Sequence, residues 1–372
     1  MKRPQGTVAD AATKASDSRM TCSENLRRLI RTARADWIPF TLDVGAIPGF
    51  TAPVLKTFQR ETASEQPEEF FDYDFRTVSL KARFPGDDPA ILHEAVAPGT
   101  TFDEWGIGHW AGGAEATYEK TFPPLSHARS RADVERLPAP VIEPGQAAET
   151  VRGYHDRGYP VFGYAGSVYE WSWWLRGMEQ FMTDMLTDPG LVEAILQKVS
   201  AYTRRLALES ARAGIDVLCF YDDAGMQTGL QIPPELWRRF VKPCWRDILD
   251  SVRAEYPDAI FFLHSCGKID EIIPDIIDVG FDILHPVQPE CMDLESLARA
   301  FGRDLVLCGS ISSQRVFPFG RPDDVRCYVR RAADLFSKTH RTILCPSNLI
   351  QPETPWENIL AFVEEARVRT RG

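Results

Sequence analysis

The sequence predicts one α/β domain, a (β/α)8 TIM barrel in which eight parallel strands alternate with helices. Three observations carry this prediction. The second half of the 372-residue chain alternates short apolar runs with helical patterns, and repeated βα units form a parallel sheet with right-handed crossovers. These runs end in polar or sulfur-containing residues, as expected for an active site at the carboxyl ends of barrel strands. No GxGxxG or Walker motif follows a strand, which disfavours the usual nucleotide-binding folds.

Five strand–helix units are expected after residue 213. Their strands are short apolar runs that suit burial on both faces of a sheet. These strands are predicted at 214–221, 259–264, 281–284, 304–308 and 342–345. The helices that follow them are predicted at 233–255, 268–279, 293–301, 323–338 and 356–369. Gly280 and Gly302 close two of these helices, as glycine often does at a helix C-terminus.

The first half of the chain has a weaker pattern. Its predicted elements are a strand at 37–43, a helix at 53–62 and a strand at 159–164. Residues 91–113 are rich in turn-forming residues and predict a hairpin-rich N-terminal insertion over the barrel mouth. From this insertion, Trp105 and His109 are expected to close the pocket.

Composition excludes several classes of protein. The net charge is −11 and no basic stripe is present, so no nucleic-acid partner is expected. No apolar stretch approaches the length of a membrane span. Residues 1–25 are polar and lack the apolar core of a signal peptide, which predicts a flexible tail on a cytoplasmic protein. Residues 26–372 are predicted to form the single barrel domain. The eight cysteines are expected to be buried thiols, ligands or catalytic groups rather than disulfides.

Two groups of side chains are candidates for chemistry on their residue types alone. Asp222 and Asp223 follow a buried strand directly and predict acid–base work, amine binding or metal binding, with helix capping as the structural alternative. The cluster of Trp171, Trp173 and Trp174 predicts stacking on a flat or methylated ligand. A role in the core or in a lid explains these tryptophans equally well.

Several motifs in order resemble the uroporphyrinogen decarboxylase superfamily. They are YDDAGMQ at 221–227, HSCG at 264–267, GFDILHPVQ at 280–288 and IQPETP at 350–355. The resemblance runs from about residue 37 to the C-terminus and is dense after Val161. It implies a (β/α)8 barrel with one of two chemistries. One branch decarboxylates uroporphyrinogen without a cofactor, and the other comprises zinc-dependent methyltransferases that work with a corrinoid protein.

The resemblance favours the methyltransferase branch. Members of the decarboxylase branch carry an arginine-rich segment for the eight substrate carboxylates, whereas residues 41–49 read TLDVGAIPG here. Asn348 also replaces the histidine found near the last Thr-Pro helix in that branch. In the methyltransferase branch, a His-x-Cys pair and a distant cysteine hold zinc, which activates a thiol for methyl transfer.

His264 and Cys266 match the zinc-binding pair, and side chains two residues apart on a strand point to the same side. The third cysteine of the family pattern falls on Asn348, so this sequence departs from the pattern there. Cys345 is our candidate third ligand, with Cys308 or Asp223 as alternatives.

The leading hypothesis is a zinc-dependent methyltransferase that acts on a small-molecule methyl donor or acceptor. Its partner would be a corrinoid protein docked over the barrel mouth, and a homodimer is compatible with the architecture. The candidate catalytic residues are Asp43, Asp222 and Asp223. The candidate substrate-binding residues are Tyr164, Trp173, His285, Gln288 and Asn348. The alternatives are a tetrapyrrole decarboxylase or divergent lyase that uses Asp43 and Asp223 as its acids, and a non-catalytic barrel that binds a small molecule.

Overall fold

A computed structural model of the protein describes residues 20–33, 35–111, 120–336 and 341–371. Its centre is a seven-stranded parallel sheet whose spatial order follows the order of the strands in the chain. In that order, the strands are Arg76–Thr77, Val161–Gly166, Val217–Tyr221, Ile260–His264, Ile283–His285, Val306–Cys308 and Thr342–Ile343. The five strands predicted after residue 213 are therefore confirmed, although the structure has them slightly shorter.

Helices separate the strands of the sheet, as the βα pattern predicts. The α-helices are Cys22–Thr32, Ala52–Thr62, Pro67–Phe70, Arg131–Arg136, Ala147–Asp156, Tyr169–Arg176, Met178–Thr187, Pro189–Arg212, Pro234–Leu236, Lys242–Glu255, Ile273–Val279, Leu294–Phe301, Val316–Phe319, Pro322–Phe336 and Trp356–Arg371. A π-helical turn, Trp237–Val241, lies within the helix predicted at 233–255. None of the helices in the described part of the chain combines the length and the apolar character needed to cross a membrane.

Side chains alternate between two apolar layers along the central strands. Val217, Cys219 and Tyr221 pack in one cluster with the equivalent residues of neighbouring strands. Leu218 and Phe220 point the other way and pack in a larger cluster with the helices. This alternation follows from the two-residue period of a strand. Cys219 is therefore a packing residue.

The strand predicted at 37–43 is replaced by a single extended contact around Phe40. The Phe40 carbonyl accepts a hydrogen bond from the Asp74 backbone N–H (3.2 Å), next to the first strand of the sheet. On its other side, the Thr41 N–H donates to the Leu344 carbonyl (3.0 Å), next to the last strand. Pro39 has no N–H to donate, so a longer ladder cannot form there. This short segment joins the two edges of the sheet.

The predicted tail ends earlier than expected. The helix Cys22–Thr32 begins inside the range 1–25, because Thr21 and Glu24 form a reciprocal capping box at its start. Leu26 and Leu29 of this helix are buried in the same apolar cluster as Val217. Residues 22–25 therefore belong to the folded domain, and residues 1–19 of the predicted tail lie outside the described residues.

The turn-rich segment before residue 123 forms a small antiparallel sheet. Its strands are Thr101–Phe102, Gly108–Trp110 and Lys120–Phe122. The expectation that Trp105 closes the pocket is wrong, because its side chain is fully buried against Trp171 and Tyr202 in the core. Residues 112 and 113 of the predicted insertion lie outside the described residues.

Candidate active site

A cavity of about 280 Å³ lies at the carboxyl ends of three neighbouring strands of the sheet. Its wall combines aromatic rings with three carboxyl groups, and the residues described around it include no arginine or lysine. The lining residues are Ile47, Asp103, Tyr164, Ser167, Glu170, Trp171, Trp174, Tyr221, Asp223 and His264. The carboxyl ends of the strands are where barrel enzymes place their active sites.

Three potential metal ligands converge beside this cavity. Tyr221 and His264 are paired in register on adjacent strands, so Asp223 and Cys266, each two residues further on, come level with each other. The His264 Nε2 atom lies 3.3 Å from Cys266 Sγ and 3.7 Å from Asp223 Oδ1. The ligand atoms of all three residues lie within 4.8 Å of one another.

The donor set and its spacing fit a zinc ion. Tetrahedral zinc with ligand bonds of about 2.0–2.3 Å holds neighbouring ligand atoms roughly 3.3–3.8 Å apart. The measured separations of 3.3 and 3.7 Å from His264 Nε2 fall in that range. One nitrogen, one sulfur and one oxygen ligand leave a fourth position of a tetrahedral ion open to substrate.

The protonation states of His264 and Cys266 have opposite consequences for a bound cation. Burial lowers the pKa of His264 to about 4, so its imidazole is neutral and can offer a lone pair at neutral pH. Burial, with the charges of Asp223 and Glu170, raises the pKa of the Cys266 thiol far above its usual value. A divalent cation would reverse this effect, because it stabilises the thiolate. The Asn348 amide, which donates to Cys266 Sγ at 3.4 Å, also favours a thiolate.

Asp103 and Glu170 line the cavity but were not predicted from the sequence. Burial raises the pKa of Glu170 to about 8, with further contributions from the Asp223 and Asp222 charges. Burial also raises the pKa of Asp103, which accepts hydrogen bonds from the backbone N–H groups of Trp105 and Ile107. Neither residue belongs to a recognisable motif. The sequence feature that could have indicated them is an acidic residue close to aromatic residues on both sides.

Asp222 has a structural role in the fold. Its Oδ1 atom accepts hydrogen bonds from Ser167 Oγ and from the backbone N–H groups of Val168 and Glu170, at 2.8–3.1 Å. Its Oδ2 atom accepts a hydrogen bond from the Trp245 indole N–H at 3.0 Å. The buried carboxylate thus caps the helix Tyr169–Arg176, which precedes Asp222 in the chain, rather than the segment that follows it.

The predicted substrate-binding residues divide into two groups. Tyr164 lines the cavity, and Asn348 contacts the cluster through Cys266. Trp173 is not among the lining residues, whereas Trp171 and Trp174 of the same helix are. Gln288 is buried, and its Oε1 atom accepts the Gly267 backbone N–H at 3.1 Å, which holds the loop that follows Cys266.

The structure places Cys345 in a second cluster rather than beside His264 and Cys266. Cys345 and Cys308 are buried with their sulfur atoms 3.2 Å apart, and His285 completes a group whose ligand atoms lie within 4.8 Å of one another. His285 is fully buried and is not among the residues that line the cavity. Of the three candidates for the third ligand, Asp223 is the one grouped with His264 and Cys266.

Asp43 lies away from the cavity lining, in a buried setting of its own. Its carboxylate accepts the Gly49 backbone N–H at 3.0 Å. Burial nevertheless raises the pKa of Asp43 to about 7. A carboxyl group with this shift binds its proton more tightly in the folded chain than in the unfolded chain. Its contribution to stability is therefore present at acid pH and is lost as pH rises through about 7.

We expect Asp43→Asn to stabilise the protein at pH 8 by about 1–3 kcal/mol relative to the native residue, because it removes a buried charge. At pH 5 the difference should be smaller, because Asp43 is protonated in the folded state and carries no buried charge. Urea denaturation of both proteins at the two pH values measures this. An equal effect at pH 5 and pH 8 would contradict it.

Comparison with known families decides the wider assignment. The family profile described as uroporphyrinogen decarboxylase (URO-D) matches residues 108–368, well over half of the chain. The chain belongs to the uroporphyrinogen decarboxylase family. The family match covers both cysteine–histidine clusters and all of the cavity lining except Ile47 and Asp103.

Relatives of this family member include both decarboxylases and methyltransferases. The uroporphyrinogen decarboxylase of Pelodictyon phaeoclathratiforme is 24% identical over 263 residues, covering 66% of this chain and 70% of that protein. The methylcobamide:CoM methyltransferase MtaA of Methanosarcina barkeri is 26% identical over 189 residues. That alignment covers 51% of this chain and 52% of the methyltransferase, about half the length of each.

A solved structure supports the fold over nearly the whole chain. The methyltransferase from Methanosarcina mazei superposes with a TM-score of 0.65, covering 94% of this chain and 99% of that one. The two sequences are 17% identical in this comparison, so the likeness establishes the fold alone. It agrees with the parallel, curled arrangement of the seven strands.

Proposed function

We propose that this member of the uroporphyrinogen decarboxylase family is a zinc-dependent methyltransferase that works with a corrinoid protein. The observation that carries the proposal is the convergence of Asp223, His264 and Cys266 at the edge of a small cavity. These three residues would hold the zinc ion. A bound zinc would accept a substrate thiol at its open position and keep it deprotonated as the nucleophile for methyl transfer.

The rest of the cavity suits a small substrate. Tyr164, Trp171 and Trp174 cover part of its wall with aromatic surface, which excludes water from the reacting groups. The volume of about 280 Å³ is just below the usual range for cavities that bind drug-sized ligands. A short thiol and a methyl group fit this space.

The same wall is poorly suited to uroporphyrinogen. That substrate is a four-ring macrocycle with eight carboxylates, which calls for guanidinium or ammonium partners. Asp103, Glu170 and Asp223 would instead face it with carboxyl groups, and the described lining includes no basic side chain other than the neutral His264. This charge balance favours methyl transfer over decarboxylation.

The proposal extends to the architecture around the site. We infer that the segment around Phe40 serves as the eighth strand of a closed (β/α)8 barrel, since it hydrogen-bonds to both edges of the sheet. The corrinoid protein would approach the carboxyl ends of the strands, where the cavity lies. Asp103 directly follows the first strand of the small antiparallel sheet and lines the cavity, which agrees with an insertion near the barrel mouth.

The first test is the metal content of the purified protein, with methyl transfer from methylcobalamin to a small thiol as the second readout. We expect about one zinc ion per chain, lost in the double variant His264→Ala with Cys266→Ser together with thiol methylation. Cys327→Ser is the matched control, because this cysteine is exposed and outside both clusters. Absence of zinc after reconstitution under reducing conditions would overturn the proposal. Turnover of uroporphyrinogen would assign the chain to the decarboxylases.

A further inference from the structure

His285 lies behind His264, on the side away from Cys266. The two residues are paired in register on adjacent strands, and their Nδ1 atoms are 2.9 Å apart. The second ring nitrogen of His285, Nε2, lies 3.2 Å from the backbone carbonyl of Pro346. The Cys345 sulfur is a further hydrogen-bonding partner of the His285 side chain.

The ring arrangement agrees with a hydrogen bond in the plane of both imidazoles. The ring centres are 4.9 Å apart and the planes differ by 29°. The distance between the ring centres exceeds the 2.9 Å between the Nδ1 atoms by about the sum of the two ring radii. Both Nδ1 atoms therefore lie close to the line that joins the ring centres, and the two rings meet at their edges. Gly309 makes room for this placement, because a Cβ atom there would lie 2.6 Å from His285 Nε2.

The Pro346 carbonyl determines where the protons lie. A backbone carbonyl only accepts hydrogen bonds, so His285 must carry its proton on Nε2. In the neutral ring, His285 Nδ1 is then an acceptor. The hydrogen bond between the two Nδ1 atoms in turn requires His264 to donate from its own Nδ1. His264 Nε2 is left with a free lone pair, directed towards Cys266 Sγ and Asp223 Oδ1.

We propose that His285 is a positioning residue that fixes His264 in the tautomer whose Nε2 lone pair binds zinc. This inference rests on the proposed zinc site, and it assigns a role to a side chain that never reaches substrate. The chain Pro346 carbonyl–His285–His264 holds the ligand ring in place before the ion arrives. Mutation of a residue that is hydrogen-bonded to a metal ligand typically lowers metal affinity by about 10- to 100-fold.

The cluster of His285, Cys308 and Cys345 has a competing interpretation as a second metal site. Binding there would require a free lone pair on a His285 nitrogen. In this arrangement Nδ1 accepts from His264 and Nε2–H donates to Pro346, so neither nitrogen offers one. The structure therefore assigns His285 to the hydrogen-bonded chain.

Two substitutions separate this role from packing. His285→Gln offers an amide that can donate to Pro346 and accept from His264. His285→Phe keeps an aromatic ring but can do neither. We expect the apo wild type and His285→Gln to show His264 protonated on Nδ1 in long-range 15N–1H spectra of histidine-labelled protein, and His285→Phe to show a mixture of tautomers. Zinc affinity should fall about 10- to 100-fold in His285→Phe and stay within a few-fold of wild type in His285→Gln.

The two readouts distinguish this inference from the proposed function. If the wild type binds no zinc but the tautomer of His264 still depends on His285, the proposed function fails and the hydrogen-bonded chain stands. If the wild type binds zinc and His285→Phe changes neither tautomer nor affinity, His285 has no positioning role. A second zinc ion that is lost in Cys308→Ser would also overturn the inference, because it would show that His285 serves another ion.

Discussion

Asp222→Ala is expected to lower the free energy of unfolding by about 3–5 kcal/mol, because it leaves several buried donors without an acceptor. Four N–H and O–H groups converge on this carboxylate, which is 3% exposed. Burial raises the pKa of Asp222 to about 6. An asparagine side chain keeps one acceptor oxygen, so it can still accept some of these hydrogen bonds. Asp222→Asn should therefore cost clearly less than Asp222→Ala. Urea denaturation at pH 7 measures both.

Asp247→Ala is the matched control for this prediction. Asp247 lies on the same helix as Trp245 but is exposed, and its ion pair with Arg204 lies at the surface. Its loss should change stability by no more than about 0.5 kcal/mol. If Asp222→Ala kept the stability of the wild type yet lost activity, the sequence-based prediction that Asp222 is catalytic would be right after all.

Asp223→Asn is expected to weaken zinc binding by about 100-fold or more. This effect is larger than is usual for mutation of a residue that is only hydrogen-bonded to a metal ligand. An amide oxygen lacks the charge that a carboxylate gives to the ion. Glu170→Gln is the matched control, since Glu170 lines the same cavity but is not grouped with the metal ligands. It should change zinc affinity much less. Competition with a zinc chelator measures both variants.

Cys345→Ser distinguishes the two candidates for the third ligand. The structure groups Cys345 with Cys308 and His285, so its loss should leave about one zinc ion per chain. A loss of zinc in Cys345→Ser, with zinc retained in Asp223→Asn, would restore the ligand set predicted from the sequence. The two variants thus give opposite results under the two assignments.

Local pattern predicted the fold well where strands are buried on both faces. Continuous apolar runs such as Ile260–His264 have few alternatives once a helix pattern follows, so the second half of the sheet was predictable. The segment around Phe40 was not, because a single backbone contact on each side depends on what the remote residues Asp74 and Leu344 offer. The helix that begins at Cys22 lies within the predicted tail, although Thr21 and Glu24 have the spacing of a capping box in the sequence.

Residue type and strand position predicted part of the site. His264, Cys266 and Asp223 follow strands directly, and the parallel register brings them together. The distinction between Asp222 and Asp223 could not be predicted, because adjacent residues point to opposite sides and the sequence does not say which side faces the cavity. The grouping of Cys345 with His285 and Cys308 could not be predicted, because the distance of Cys345 from Cys266 depends on the path of the chain between the strands.

The contact between Phe40 and Leu344 has a consequence for synthesis of the chain. Phe40 is synthesised long before its partner Leu344, because most of the described chain lies between them. Contacts between residues so distant in sequence are costly in chain entropy and form slowly. The nascent chain therefore carries an unpaired strand edge until Leu344 has been made, and this edge is where association with other nascent chains would begin.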